Sequence, residues 1–451
     1  MVSLGSLYKD AEIRKKILIT IGLLFFYRIG FAIPIPGVDY QKFVELAGGA
    51  SGEGIGRLAG IVNILTGAQL QQASIFSLGV MPYISASIIF SLLVKVVPTL
   101  ERLSKEGASG QRKINQYTRL ATIPICLVQS FFVIFCVLGK SLNTPDSLLH
   151  ASVEAYWLPY CLLVMLSMTA GTLFIMWLGE QITEHGAGNG ISLIIMAGII
   201  AALWPAFLQA FGTASDGALQ TEAYQTLLLF VLAWGVAVVA VVFMTKSQRR
   251  IPIQQAKQTR GRRVYGGQRH FLPIKVNHAG VMPIIFASAL LIVPSLLGSA
   301  IGLDWLSDTF SAGRGFWYVA CYAGLIFFFS FFWTSLMFQP NEMADNLKEH
   351  GSFIPGIRPG KKTAEFLEQT MVRITLAGAA FLTVVAVFPT FVSSGFAGLD
   401  PTFLYFMSGT SILIVVGVAL DLVEKLNAML VMRNYEGVVK DSSGQSGWGR
   451  R

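Results

Sequence analysis

The side chains able to do chemistry in this sequence are almost all cationic, and they cluster. Between Thr245 and Asn277 stand Arg249, Arg250, Lys257, Arg260, Arg262, Arg263 and Arg269, and a second group centres on Arg358 within Gly351-Ser352-Phe353-Ile354-Pro355-Gly356-Ile357-Arg358-Pro359-Gly360. Guanidinium groups bind carboxylate and phosphate through charge-assisted hydrogen bonds. Loops of this kind either suit acidic or phosphate-rich partners or only hold themselves on one side of a membrane. The glycines and prolines around Arg358 either present it or simply turn the chain. Bond-making chemistry is not encoded. There is no HExxH, cysteine pair, nucleophile elbow or Walker A element, and Gly356-Ile357-Arg358-Pro359-Gly360-Lys361-Lys362-Thr363 misses the last by one residue of glycine spacing. No catalytic residue, metal or cofactor is expected, and the chain is not read as an enzyme. Cys126, Cys136, Cys161 and Cys321 all fall in apolar runs, where they pack as small hydrophobes.

The elements that carry these residues are membrane helices. Hydrophobic residues make up 53% of the chain, charged residues 13%, and the mean hydropathy is +0.60; a soluble domain carries roughly twice that charged share. Ten apolar segments are long enough to cross a bilayer: near 17–35, 76–94, 118–139, 156–178, 191–210, 225–244, 279–298, 318–338, 373–392 and 403–422. The first is a retained span, because it exceeds a signal-peptide core and ends in Ile33-Pro34-Ile35-Pro36 without a cleavage site. Lys and Arg collect on alternate loops, and only Lys42, Arg57, Lys140 and Arg314 fall on the other set. That bias predicts cytoplasmic N- and C-termini. The fold class is therefore all-α and polytopic, with two halves, 1–212 and 213–451, of five spans each and opposite orientation. Long inside loops fall at 245–277 and 339–372.

Ion-coupled carriers place ionisable groups deep in their spans. Here only Arg28 is so placed, whereas Glu180, Asp421 and Glu424 sit at inside ends, where charge is cheap. This pattern favours a passive apolar conduit over the rival reading, an inverted-repeat secondary transporter of small solutes. Two further segments are not simple spans. The glycine-rich outside stretch contains Ile61-Val62-Asn63-Ile64-Leu65-Thr66-Gly67, too short to cross, so it is either a plug-like re-entrant element or a surface helix. The loop 245–277 has short β-branched ends, Arg250-Ile251-Pro252-Ile253 and Leu272-Pro273-Ile274-Lys275-Val276, which predict a projecting hairpin tipped by Gly261-Arg262-Arg263.

Several stretches together resemble the SecY family of bacterial translocons: Tyr27-Arg28-Ile29-Gly30, Ser77-Leu78-Gly79-Val80-Met81-Pro82-Tyr83-Ile84-Ser85-Ala86-Ser87-Ile88, Gly188-Asn189-Gly190-Ile191-Ser192, Gly261-Arg262-Arg263-Val264-Tyr265, Pro283 with Phe286-Ala287-Ser288, and Phe353 to Gly360. Their order and spacing cover nearly the whole chain. The resemblance implies a central pore between the two halves, conducting unfolded secretory polypeptides and releasing hydrophobic segments sideways into the bilayer. It implies a pore ring of Ile84, Ile88, Ile195, Ile285 and Ile414, and a plug at about 57–74 that includes Ile61, Asn63 and Leu65. It also implies a lateral gate with Ser87 and Gln129 as candidate polar positions. Arg262, Arg263 and Arg358 match positions that dock the ribosome or the SecA motor. SecE and SecG are the implied subunits, signal peptides, nascent chains and membrane lipids the remaining partners, and the bacterial plasma (inner) membrane the location. His278 and Val293 depart from the family pattern.

Overall fold

The computed structural model describes residues 11–37, 74–134, 156–201, 220–255, 258–260, 263–265, 269–287, 290–291, 294, 309, 316–395 and 409–444. Each of the ten expected spans overlaps helical backbone among these residues. In chain order the helices are α1 (Ala11–Gly30), α2 (Met81–Val96), α3 (Pro98–Lys105), α4 (Ala108–Val133), α5 (Trp157–His185), α6 (Gly190–Ala201) and α7 (Gln220–Lys246). After the β-strands come α8 (282–287), α9 (Phe316–Met337), α10 (Pro340–Glu349), α11 (Lys361–Gly395) and α12 (Gly409–Gly444). Among the described residues, the helical stretches Trp157–His185, Phe316–Glu349 and Lys361–Phe388 are each long and apolar enough to cross a membrane.

Proline corrects two expected boundaries. The first span ends as a helix at Gly30, because Pro34 and Pro36 remove backbone donors and hold their predecessors extended. Residues beyond it instead form a bridge between Pro34 and Ser74, supported by an Ile75 N–H bond to the Ile33 carbonyl at 3.1 Å. The second span starts as a helix only at Met81, with Pro82 in its first turn. It stops before Pro98, whose ring forces Val97 extended, and α3 leaves at 97° to α2.

Two compact units divide the chain: Met1–Trp204 with Val418–Arg451, and Pro205–Gly417. The first is built on a buried cluster of Tyr27, Phe31, Phe76, Val80, Ile175, Leu178, Ile182, Leu193 and Ile194. Phe31 takes edge-on contacts from both Tyr27 (5.1 Å between centroids) and Phe76 (5.7 Å), the geometry favoured by the ring quadrupole. Gly30 is required there, since a Cβ would lie 1.8 Å from the Phe76 ring. On α4, Thr118, Thr122, Cys126 and Ser130 recur every fourth residue and are all buried. The hydroxyls of Thr118 and Thr122 donate to carbonyls four residues back and that of Ser130 to one three back, so small residues let α4 approach its neighbours without leaving orphan donors.

The second unit carries the strands. β1 (Gln248–Gln255) pairs antiparallel with β4 (Arg269–Lys275), in register from Gln248 opposite Lys275 to Gln254 opposite Arg269. Between them β2 (Gln258–Arg260) pairs with β3 (Arg263–Tyr265), so the expected hairpin exists and continues toward its tip. Arg262 lies outside the described residues. Alternation puts Ile251 and Ile253 on the buried face of β1. Ile251 packs with Ile274, Ile354, Leu367, Met371 and Ile374, which roots the hairpin on the start of α11.

Candidate functional site

Arg358 sits in an exposed loop that the sequence left undecided between a frame and a turn; the structure makes it a frame. β5 (Ser352–Phe353) adds to the outer edge of β1, with Phe353 opposite Gln254 and Ser352 opposite Gln255, giving a sheet of order β4-β1-β5. Ile354 is buried in the cluster beneath, and Ile357 packs against it. The chain then turns through Gly356 (φ 84°) and Gly360 (φ 103°), a left-handed conformation that glycine alone adopts without strain. The Thr363 hydroxyl donates to the Arg358 carbonyl at 3.0 Å, and the Gly360 carbonyl accepts from the Thr363 and Ala364 N–H groups. A loop tied to a sheet at one end and to a helix start at the other presents Arg358 with little freedom. The same sheet carries exposed Arg249, Arg250, Arg269, His270 and Lys275, and Arg263 lies on β3. Two loops separated in sequence are thus one basic platform, suited to acidic or phosphate-bearing surfaces. At its root, burial first and the Lys275 charge second lower the pKa of His278, whose ring meets Phe338 edge-on at 6.2 Å.

The five isoleucines fall in both units. In the first, Ile84 and Ile195 are half-buried and pack against one and the same cluster, while Ile88, one turn beyond Ile84, is buried. In the second, Ile285 is half-buried on α8 and Ile414 half-buried in the first turns of α12. Ser87 on α2 and Gln129 on α4 are half-buried on helices that pack together, and the Ser87 carbonyl accepts from the Ser91 hydroxyl at 2.7 Å. Ile61, Asn63 and Leu65 lie outside the described residues.

Three arrangements escaped sequence reasoning. Glu180, read as a cheap interfacial charge, pairs with Arg119 Nε at 2.5 Å, with side chains 19% and 45% exposed, and so joins α5 to α4. Opposite charges at the inside ends of neighbouring spans were the available signal. Phe286, next to Ile285, stacks on Phe329 (5.3 Å) and meets Trp333 (5.7 Å) at a tilt, both on α9; an aromatic-rich span gives no hint of which ring meets which. Arg28 stacks over the Phe31 ring, 5.7 Å from its centroid, a cation–π contact.

Apolar helices whose span interiors carry no charge but Arg28, with a basic platform on the strands and loop between them, fit a polytopic membrane protein of the channel class. The SecY family model matches residues 74–423. The chain is 42% identical over 442 residues to the protein translocase subunit SecY of Streptomyces griseus, covering 96% of this chain and 98% of that one. It is 40% identical over 447 residues to the same-named subunit of Escherichia coli strain K12, covering 97% and 96%. A solved protein-conducting channel superposes with a TM-score of 0.61 at 18% identity, covering 93% of each chain. Sec61 in a canine ribosome-channel complex does so with a TM-score of 0.58 at 16% identity and the same coverage. The chain belongs to the SecY family, and its function is that of a translocon pore subunit.

Proposed function

We propose that this subunit works in the bacterial plasma membrane with both termini cytoplasmic, in complex with SecE- and SecG-type subunits, and takes substrates from the ribosome or a SecA-type motor. Arg358, Arg262 and Arg263 dock those cytoplasmic partners. Ile84, Ile88, Ile195, Ile285 and Ile414 form the constriction, residues 57–74 including Ile61, Asn63 and Leu65 plug it from outside, and Ser87 and Gln129 line a lateral gate between two five-span halves, 1–212 and 213–451. The β4-β1-β5 sheet carries the docking part of this reading, because it holds Arg358 and the arginine hairpin on one support. Branched aliphatic chains exclude ions from a narrow gap by dewetting, yet offer a passing peptide no hydrogen bonds that would hold it. No step needs a catalytic group.

The test is resting ion conductance of the reconstituted complex. Ile285→Asn and Ile414→Asn are expected to hold water in the gap, raise the leak and admit substrates with weakly hydrophobic signals. Leu290→Asn, at an exposed position just beyond α8, is the control and is expected to leave the leak unchanged. Wild-type conductance in both ring variants overturns the ring.

A further inference from the structure

The turn between α5 and α6 is packed to the limit of backbone contact. A Cβ on Gly190 would lie 1.9 Å from the Gly179 carbonyl oxygen, and one on Gly186 would lie 2.5 Å from Thr20 Oγ1. Gly188 has φ 102°. Two threonines close this turn. Thr183 Oγ1 donates to the Gly179 carbonyl (2.8 Å) and accepts the Gly190 N–H (2.9 Å), which is the first residue of α6. Thr20 Oγ1 on α1 donates to the Lys16 carbonyl (2.9 Å) and accepts the Ala187 N–H (3.0 Å), a bond across 167 residues. Ala187 itself is buried against Ile13 of α1 and Leu426 and Leu430 of α12. The start of α6 is therefore fixed to α5 through Thr183 and to α1 through Thr20, and Ile195 follows five residues on, little more than one helical turn.

We propose that Thr20 is a positioning residue for the seal: through Ala187 it sets the height and rotation of α6, and with them the place of Ile195. This rests on the assignment of Ile195 to the constriction. A shift of the α6 start by even a fraction of a turn carries Ile195 with it, because Ile195 lies on the same short helix.

Thr20→Val keeps the shape and removes the hydroxyl, whereas Thr20→Ser restores it. In the full reconstituted complex, Thr20→Val is expected to raise resting ion conductance several-fold and to pass weakly hydrophobic signals, in the same direction as Ile195→Asn. Thr20→Ser is expected to match the wild type. Hydrogen exchange at the Ala187 amide supplies a second measurement, expected to be slow in the wild type and about fivefold faster in Thr20→Val. A leaking Ile195→Asn beside a tight Thr20→Val overturns the positioning role alone. A tight Ile195→Asn overturns the ring assignment and this role with it. If Thr20→Val fails to accumulate, an Ala187 amide that exchanges in the wild type as freely as an exposed one overturns the role.

Discussion

Arg358 reaches solvent from a loop whose backbone is fixed on both sides, by Phe353 in the sheet and by Thr363 at the start of α11. Charge reversal at such a point is expected to act on partners and not on folding. Arg358→Glu should leave the level of the protein unchanged and sharply reduce motor-driven secretion, measured with a preprotein in inverted vesicles. Gly190→Ala is the opposite case. Its new methyl meets a backbone carbonyl that cannot move aside, so it is expected to cost more than about 3 kcal/mol and to lower the accumulated protein. Sequence reasoning reached Arg358, because prolines and glycines around a single cation are visible in one dimension. It did not reach Thr20, whose partner stands 167 residues away and whose type is ordinary in a membrane helix.

Pairing between elements follows the same division. The alternating Ile251 and Ile253 and the turn residues near Gly261 made the hairpin legible. The addition of β5 to its edge was not, since two residues carry no period. Ten apolar segments were likewise readable from length and charge, but two ends were misplaced at prolines within apolar runs, at Pro34 and Pro36 and at Pro82, whereas α4 runs unbroken through Pro124. Removing the root of the platform is expected to free both loops together. Leu367→Ala, at a fully buried position in that root, should cost about 2–5 kcal/mol and speed proteolysis within both 248–275 and 351–360. The Arg119–Glu180 pair is expected to show coupling. Arg119→Gln should destabilise the protein in mild detergent, and the double change with Glu180→Gln should restore part of the loss, because it leaves no unpaired, partly buried charge.

For the whole molecule, family membership and span interiors that carry no charge but Arg28 point to one passive path, and we propose that residues 57–74 close it from outside. A cysteine at Asn63, in a background lacking the four native cysteines, is expected to be shielded from an impermeant thiol reagent at rest and labelled during translocation. Equal labelling in both states would make this stretch a surface loop. The β5 strand also has a bearing on time. Its residues leave the ribosome roughly a hundred positions after the end of β1, so at about 5–20 residues per second β1 waits some 5–20 s for its third strand. The arginine hairpin is thus made long before the frame that stiffens it. A nascent chain passes through an interval in which the β1–β4 ribbon is complete while β5, the strand that leads the chain on to Arg358, has yet to be made.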